Sequence, residues 1–152
     1  MNNLAYYLWV WIFITKFVNI NSDINYTYAR SMKEPEGQNY IPLAPDLTST
    51  GGISLTNYKG FSSNFNYRYL KSRPANEDNS IIAKGYFVSD FNLNYQYKRI
   101  NYGIIIENIF NTKWNETQFA TESQLQNETQ SVEEIHFTPG TPFFIKGKIY
   151  FL

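Results

Sequence analysis

The stretch Phe17–Tyr28, FVNINSDINYTY, decides the fold. Val18, Ile20, Ile24, Tyr26 and Tyr28 take even positions, and Asn19, Asn21, Asp23, Asn25 and Thr27 take odd ones. Ser22 is the one polar residue on the even side. Successive side chains of a strand point to opposite faces, so this stretch reads as a strand with one apolar and one polar face. Repeated strands of roughly ten residues with this alternation are the signature of a transmembrane β-barrel wall.

The stripe runs to Ala29 and recurs along the chain. Gly51–Tyr58 sets Ile53 and Leu55 against Ser54 and Thr56. Phe61–Leu70 sets Phe61, Phe65, Tyr67 and Tyr69 against Ser62, Asn64, Asn66 and Arg68. In Tyr86–Tyr97, Phe87, Phe91, Leu93, Tyr95 and Tyr97 oppose Asp90, Asn92, Asn94 and Gln96. Ile100–Phe110 is mixed on its odd positions, and Phe143–Leu152 sets Phe143, Ile145, Ile149 and Phe151 against Lys146 and Lys148. These stripes predict an all-β, antiparallel up-and-down meander of about six strands. Residues 1–16 stand apart from residues 17–152. Leu4–Ile14, LAYYLWVWIFI, is apolar without alternation. It is too short for a transmembrane helix, has no basic leader or small-residue cleavage site, and is rich in β-branched and aromatic residues. It is assigned as an atypical strand.

Connections alternate in length. Long segments follow the first stripe (RSMKEPEGQNYIPLAPDLTST), the Phe61–Leu70 stripe (KSRPANEDNSIIAKG) and the fifth stripe (about Asn111–Pro142). Lys59-Gly60 and Lys98-Arg99 are tight turns. Outer-membrane barrels have short periplasmic turns and long extracellular loops, and the pattern here fits a C-terminus on the periplasmic side. Tyr26, Tyr28, Tyr67, Tyr69, Tyr95 and Tyr97 lie near strand ends, where interfacial aromatics anchor a barrel.

Composition narrows the function. Thirteen basic and thirteen acidic residues balance, with no basic patch of the kind that binds nucleic acid. The absence of cysteine excludes disulfides, thiol nucleophiles and thiolate metal sites. A mean hydropathy of −0.42 is too polar for a helical membrane protein but suits a barrel, whose strands turn half their side chains inward.

Six segments together resemble the last part of TonB-dependent outer-membrane receptors: Tyr40–Pro45 (YIPLAP), Arg73–Ser80 (RPANEDNS), Ala83–Tyr86 (AKGY), Glu107–Asn111 (ENIFN), Thr121-Glu122-Ser123 and His136–Pro142 (HFTPGTP). ENIFN is similar to the family's Asn-Leu-Phe-Asn/Asp motif near the C-terminus. The resemblance implies an energy-coupled uptake receptor of the bacterial outer membrane for scarce ligands such as iron chelates, cobalamin or glycans. It also implies a plug domain and a barrel of about 22 strands. About six strands cannot enclose a wide lumen, and an open sheet leaves edges that lipid does not tolerate. The expectation is therefore a C-terminal fragment, an open curved sheet forming part of a barrel wall and inactive in transport by itself, with Leu4–Ile14 at the broken junction. Its expected partners are outer-membrane lipid, the missing plug and remaining strands, and the barrel-assembly machinery, which reads the terminal strand. Family barrels usually end in Phe, and here Leu152 follows Phe151.

Asn19, Asn21, Asp23, Asn25, Asn64, Asn66, Arg68, Asp90, Asn92, Asn94 and Gln96 are expected to line the lumen. Arg73, Glu77 and Asp78 are candidate ligand contacts from an extracellular loop, with an ion pair within the loop or turn capping the favoured reading. His136, the only histidine, follows Glu133 and Glu134, but this is not a recognised metal-ligand spacing and a structural role is favoured. The Asn-X-Ser/Thr triplets at Asn25, Asn115 and Asn127 read as chance. No catalytic constellation, cofactor or metal is implied. The competing reading is a soluble all-β binding module, for carbohydrate for instance, on the aromatic face; a complete eight-stranded barrel lacks the strands.

Overall fold

The computed structural model describes residues 4–124, 126 and 129–151. Eleven strands form among them: β1 (Leu4–Phe13), β2 (Val18–Tyr28), β3 (Leu47–Tyr58), β4 (Phe61–Leu70), β5 (Arg73–Pro74), β6 (Ile82–Ala83), β7 (Tyr86–Tyr97), β8 (Ile100–Glu107), β9 (Asn115–Ser123), β10 (Val132–Pro139) and β11 (Phe144–Phe151). Seven of them make one open antiparallel sheet in the order β1-β2-β3-β4-β7-β8-β11. The remaining strands form two small hairpins, β5-β6 and β9-β10, inside two of the long connections. The wall is thus an up-and-down meander with its edges at β1 and β11. It has seven strands rather than about six because the Leu4–Ile14 run contributes β1.

Register sorts the side chains by face, since directly opposed residues share one. Ile20 faces Ile53, which faces Phe65, which faces Phe91, Ile106 and finally Ile145. One residue along, Asn21 faces Gly52, Asn66 and Asp90. All eleven residues expected on the polar side therefore share one face of the sheet. The apolar face is uncovered: Ile53, Ile104 and Ile149 keep 49%, 46% and 66% of their surface. Total accessible surface is 10825 Å², against about 8,000 Å² for a compact monomer of this mass. A single sheet layer with two open faces accounts for the excess.

The register also explains Ser22, the interruption in the founding stripe. Ser22, Gly51, Tyr67 and Ser89 form one cross-strand row on the apolar face. Tyr67 lies across Gly51, and its hydroxyl reaches Ser22 Oγ at 2.7 Å and Ser49 Oγ at 3.0 Å. An aromatic ring covering a strand glycine restores the packing that the glycine gives up. Tyr67 thus serves the sheet interior rather than anchoring a strand end.

β1 lacks alternation because both its faces are apolar. Leu8 and Ile12 join Ile24 and Ile20, while Tyr7, Trp9, Trp11 and Phe13 stand beside Asn25, Asp23, Asn21 and Asn19 on the polar face. Tyr7 donates its hydroxyl to Asp23 Oδ1 at 2.7 Å, and Trp9, Trp11 and Phe13 run ring to ring at 6.2 and 6.1 Å.

Other boundaries differ from expectation. β3 starts at Leu47, four residues before the visible stripe, because Thr48 and Thr50 continue the ladder, opposite Asn25 and Asp23 on one side and Leu70 and Arg68 on the other. β8 stops at Glu107 rather than Phe110, since Asn108 and Asn111 take positive φ (49° each), which ends extended pairing. At the other end, Lys59 (φ 52°) and Gly60 (φ 86°) form the β3–β4 turn with two positive φ angles, the geometry that matches strand twist. Leu152 lies outside the described residues.

Replacing Gly51 by alanine would drive a Cβ into Asn21 O and to 2.9 Å from the Tyr67 ring, whereas at Gly147 nothing lies within 4 Å. Gly51→Ala is expected to destabilise the sheet by about 1–3 kcal/mol and Gly147→Ala to be neutral. Tryptophan-monitored denaturant midpoints in detergent check this; equal midpoints for the two variants would refute the Tyr67–Gly51 account.

Candidate functional site

Because the meander is antiparallel, its three long connections gather at one end, and there they pack into a cap. Residues 29–46 dock on residues 71–85 through Leu43 N to Pro74 O (2.7 Å) and Tyr40 N to Glu77 O (3.0 Å). The Arg30 guanidinium lies 4.6 Å from the Tyr28 ring centre and 4.2 Å from that of Tyr40. Residues 71–85 dock in turn on the β9-β10 hairpin. Gln118, buried, accepts from Lys84 N at 2.9 Å and donates to Lys84 O at 2.7 Å. Asn76, also buried, donates to Glu133 Oε2 (2.9 Å) and Ser80 Oγ (2.8 Å) and accepts from Ile81 N. Ala75 and Ala83 are buried here too. Much of what this molecule buries lies in the cap.

Asn108 of ENIFN ties the cap to the wall. Its side-chain amide donates to Thr112 O (2.8 Å) and Thr141 O (3.0 Å), and its carbonyl accepts from Thr112 N (2.8 Å). Its backbone N–H donates to Asp90 Oδ1 at 2.9 Å. Asn111 Oδ1 accepts from Phe143 N. Two asparagines thus hold the exit from β8 and the entry to β11 together. Trp114 closes the knot: its ring covers Gly140, its Nε1 donates to Thr141 O (3.0 Å), Tyr86 packs on it at 4.8 Å, and the Arg68 guanidinium lies 5.3 Å from its centre.

Three clefts result. One, about 620 Å³, lies between residues 82–85 and the hairpin, with Ile82, Lys84, Trp114, Gln118, Ile135 and Phe137 in its walls. A second, about 430 Å³, opens on the polar face beneath the cap, among Arg68, Asp90, Glu107, Asn92 and Trp114. Trp114 lines both. The third, about 300 Å³, is acidic and lined by Glu34, Gln38, Asn76, Glu77, Asp78 and Glu133.

The loop residues singled out by sequence are only partly assembled. Glu77 and Asp78 share the acidic cleft, and Arg73 and His136 are not among its lining residues. Asp78 Oδ1 accepts from Ser80 N at 3.0 Å, so it caps a turn. Hydrogen bonds from the Ser80 backbone and then its hydroxyl hold the Asp78 carboxyl below the usual carboxylate range. Arg73 forms no ion pair with Glu77 or Asp78 among the described residues. Its Nη1 is buried without a hydrogen-bond partner, and burial pushes the guanidinium below its ordinary value. His136 stacks on its cross-strand partner Phe119 at 5.7 Å, and no group of three or more His, Cys, Asp or Glu able to hold a metal occurs among the described residues. Asn25 lies in β2 and Asn115 opens β9, while Asn127 lies outside the described residues. Sequence reading missed Trp114, Gln118, Glu34 and Asn76 as site residues. A tryptophan inside a long polar loop was the one available signal.

No family model and no curated protein matches this sequence. Among solved structures, the fold is that of a part of receptor barrels. The chain matches the siderophore receptor PiuA from Acinetobacter baumannii with a TM-score of 0.68 at 13% identity, covering 97% of this chain and 22% of that one. The ferric yersiniabactin uptake receptor FyuA from Yersinia pestis gives 0.65 at 14% identity, with 97% and 22% covered. The ferric citrate transporter FecA gives 0.60 at 16%, with 88% and 21% covered. The chain therefore spans about a fifth of the length of these receptors, and the fold expected from the TonB-dependent resemblance is the fold found.

Removing the Asn108 side chain strands the Thr112 carbonyl and amide and leaves Thr141 O with Trp114 Nε1 as its donor. Asn108→Ala is expected to cost about 2–3 kcal/mol and to accelerate hydrogen exchange at Thr112 N–H, with β2 and β3 amides unaffected. Uniform acceleration would refute a local knot. For Asp78 the lowered folded pKa means its contribution is present above the unfolded carboxylate pKa and lost as pH falls through the folded value. Exchange at Ser80 N–H, corrected for intrinsic rate, is expected to rise below about pH 4, and Asp78→Asn is expected to abolish that pH dependence.

Proposed function

We propose that this chain is part of the wall of an outer-membrane uptake receptor, a C-terminal portion carrying the strands that end the barrel. The observation that carries the reading is the in-register division of seven strands into an uncovered apolar face and an asparagine-rich polar face. Transfer of outward residues such as Ile53, Phe65 and Ile149 into hydrocarbon stabilises the sheet, whereas in water the same surface invites aggregation. In this reading Asn19, Asn21, Asp23, Asn25, Asn64, Asn66, Arg68, Asp90, Asn92, Asn94 and Gln96 line the lumen and hydrogen-bond water or a plug domain. The cap faces the cell exterior, where Arg73, Glu77, Asp78 and His136 are candidate ligand contacts.

The intact receptor would take up a scarce ligand such as a metal chelate, without catalysing a reaction on it. Seven strands do not enclose a passage, so translocation requires the rest of the barrel and the plug, and these strands alone are inactive in transport. The barrel-assembly machinery would engage β11, the last strand. A soluble carbohydrate-binding module is disfavoured by the 10825 Å² of exposed surface, which leaves no second layer to cover the apolar face.

Fractionation tests the reading. Expressed with a secretion signal, the chain is expected in the outer-membrane fraction, released by detergent and not by carbonate or urea washing. A monodisperse, detergent-free soluble monomer would overturn it.

A further inference from the structure

The three short connections carry this inference, which rests on the barrel-wall reading above. Residues 14–17, 59–60 and 98–99 join β1 to β2, β3 to β4 and β7 to β8, all at the end opposite the cap. Each contains at least one cation (Lys16; Lys59; Lys98 and Arg99), and none contains an acid. All four cations are exposed. The ion pairs found among the described residues join Lys71 to Asp46 and Lys146 to Glu107, so the turn cations are left unneutralised. The three cap connections (29–46, 71–85 and 108–143), by contrast, hold six basic and ten acidic residues, a net charge of −4. A chain of zero net charge is therefore divided by end.

The cations sit on an aromatic belt. Lys16 Nζ lies 4.9 Å from the Phe17 ring centre, Lys59 Nζ 5.5 Å from Tyr58 and Lys98 Nζ 5.3 Å from Tyr97. Phe17 meets Tyr58 edge-on at 5.3 Å, Phe61 stacks on Tyr95 at 4.3 Å, and Tyr95 on Tyr97 at 6.5 Å. Two of the connections are also tied to the next strand through the backbone, by Thr56 N of β3 to Phe17 O (2.8 Å) and Gln96 N of β7 to Gly60 O (2.9 Å). The turns thus form one continuous rim rather than three independent loops.

Aromatic rings favour the level of the lipid headgroups, and lysine extends its ammonium from an apolar surface toward water and phosphate. We propose that this rim is a docking surface for anionic phospholipid headgroups, with Lys16, Lys59, Lys98 and Arg99 contacting lipid phosphates from the plane of the Tyr58, Phe61, Tyr95 and Tyr97 rings. Each cation near an anionic surface strengthens partitioning roughly fivefold. The rim fixes how deep the sheet sits, because the rings set the interface and the cations seek the phosphates just beyond it.

Vesicle flotation of the full chain, diluted from detergent, tests this. Association with phosphatidylcholine–phosphatidylglycerol vesicles is expected to exceed that with phosphatidylcholine alone by at least about tenfold, and to weaken with salt. Lys59→Gln should lower anionic-vesicle partitioning by about fivefold, and Lys33→Gln, a single cation at the cap end, should leave it unchanged. Joint replacement of Lys16, Lys59 and Lys98 by arginine keeps the charge and should retain full binding, which separates charge from any folding defect in the glutamine variant. Equal binding to neutral and anionic vesicles, or equal loss in Lys59→Gln and Lys33→Gln, overturns the headgroup inference while leaving the wall reading intact. Failure to associate with either vesicle overturns both.

Discussion

The fold depends on the backbone hydrogen bonds of one sheet, which a barrel wall in lipid could not leave open. Within the sheet each strand satisfies its neighbours, but β1 and β11 each present one unpaired edge. An unpaired amide in hydrocarbon costs several kcal/mol, and an edge holds several of them. The strand count adds a geometric condition. With seven antiparallel strands the two edges run in the same direction, so a sheet pairing antiparallel with both must itself have an odd number of strands. Closure thus gives an even total, as bacterial single-chain barrels have. Two copies of this sheet meet the count, fourteen strands in all, but when oriented alike their meeting edges run parallel, so the antiparallel pairing fails.

The row Ser22–Gly51–Tyr67–Ser89 shows how the wall tolerates polar atoms on its apolar side. Small residues on three strands leave a shallow trough, and one tyrosine fills it. Its hydroxyl is satisfied twice within the trough, by Ser22 and Ser49, while the Ser89 hydroxyl beside it is buried without a hydrogen-bond partner. A glycine alone would weaken the strand and an exposed serine alone would cost transfer energy. Packed together under Tyr67, they keep the apolar face continuous. The exception in the first stripe is therefore part of the fold rather than noise in the pattern.

Where alternation was clean, the strands and even the facing of individual residues were legible, because period two is a direct consequence of strand geometry. Leu47–Thr50 was not, since its threonines and serine carry no contrast between faces and owe their extended form to the neighbours β2 and β4. Ile109 and Phe110 looked like strand because they are apolar, yet the positive φ angles of Asn108 and Asn111 outweigh that. The cap was the least legible part. Glu34, Asn76 and Glu133 come from three separate connections, and their meeting depends on loop docking, which leaves no periodic trace. The ion pair that sequence proximity offered between Arg73 and Glu77 or Asp78 is not formed among the described residues. His136 looked isolated because its partner, Phe119, is reached only across the β9-β10 hairpin.

The cap and the wall are mechanically one object, and Asn108 is the reason. Its four hydrogen bonds reach Asp90 on β7, Thr112 at the start of the last long connection and Thr141 at its end. Asp90 lies on the polar face, and Trp114, held by Thr141, faces both the cap cleft and the cleft beneath it. A displacement of the β9-β10 hairpin therefore cannot occur without moving Trp114 against Arg68 or breaking the Asn108 amide contacts. Trp114, a side chain common to both clefts, therefore links the cap to the polar face by a path outside the strand ladder. Among the described residues the short-turn end is joined to the cap only through the strands themselves.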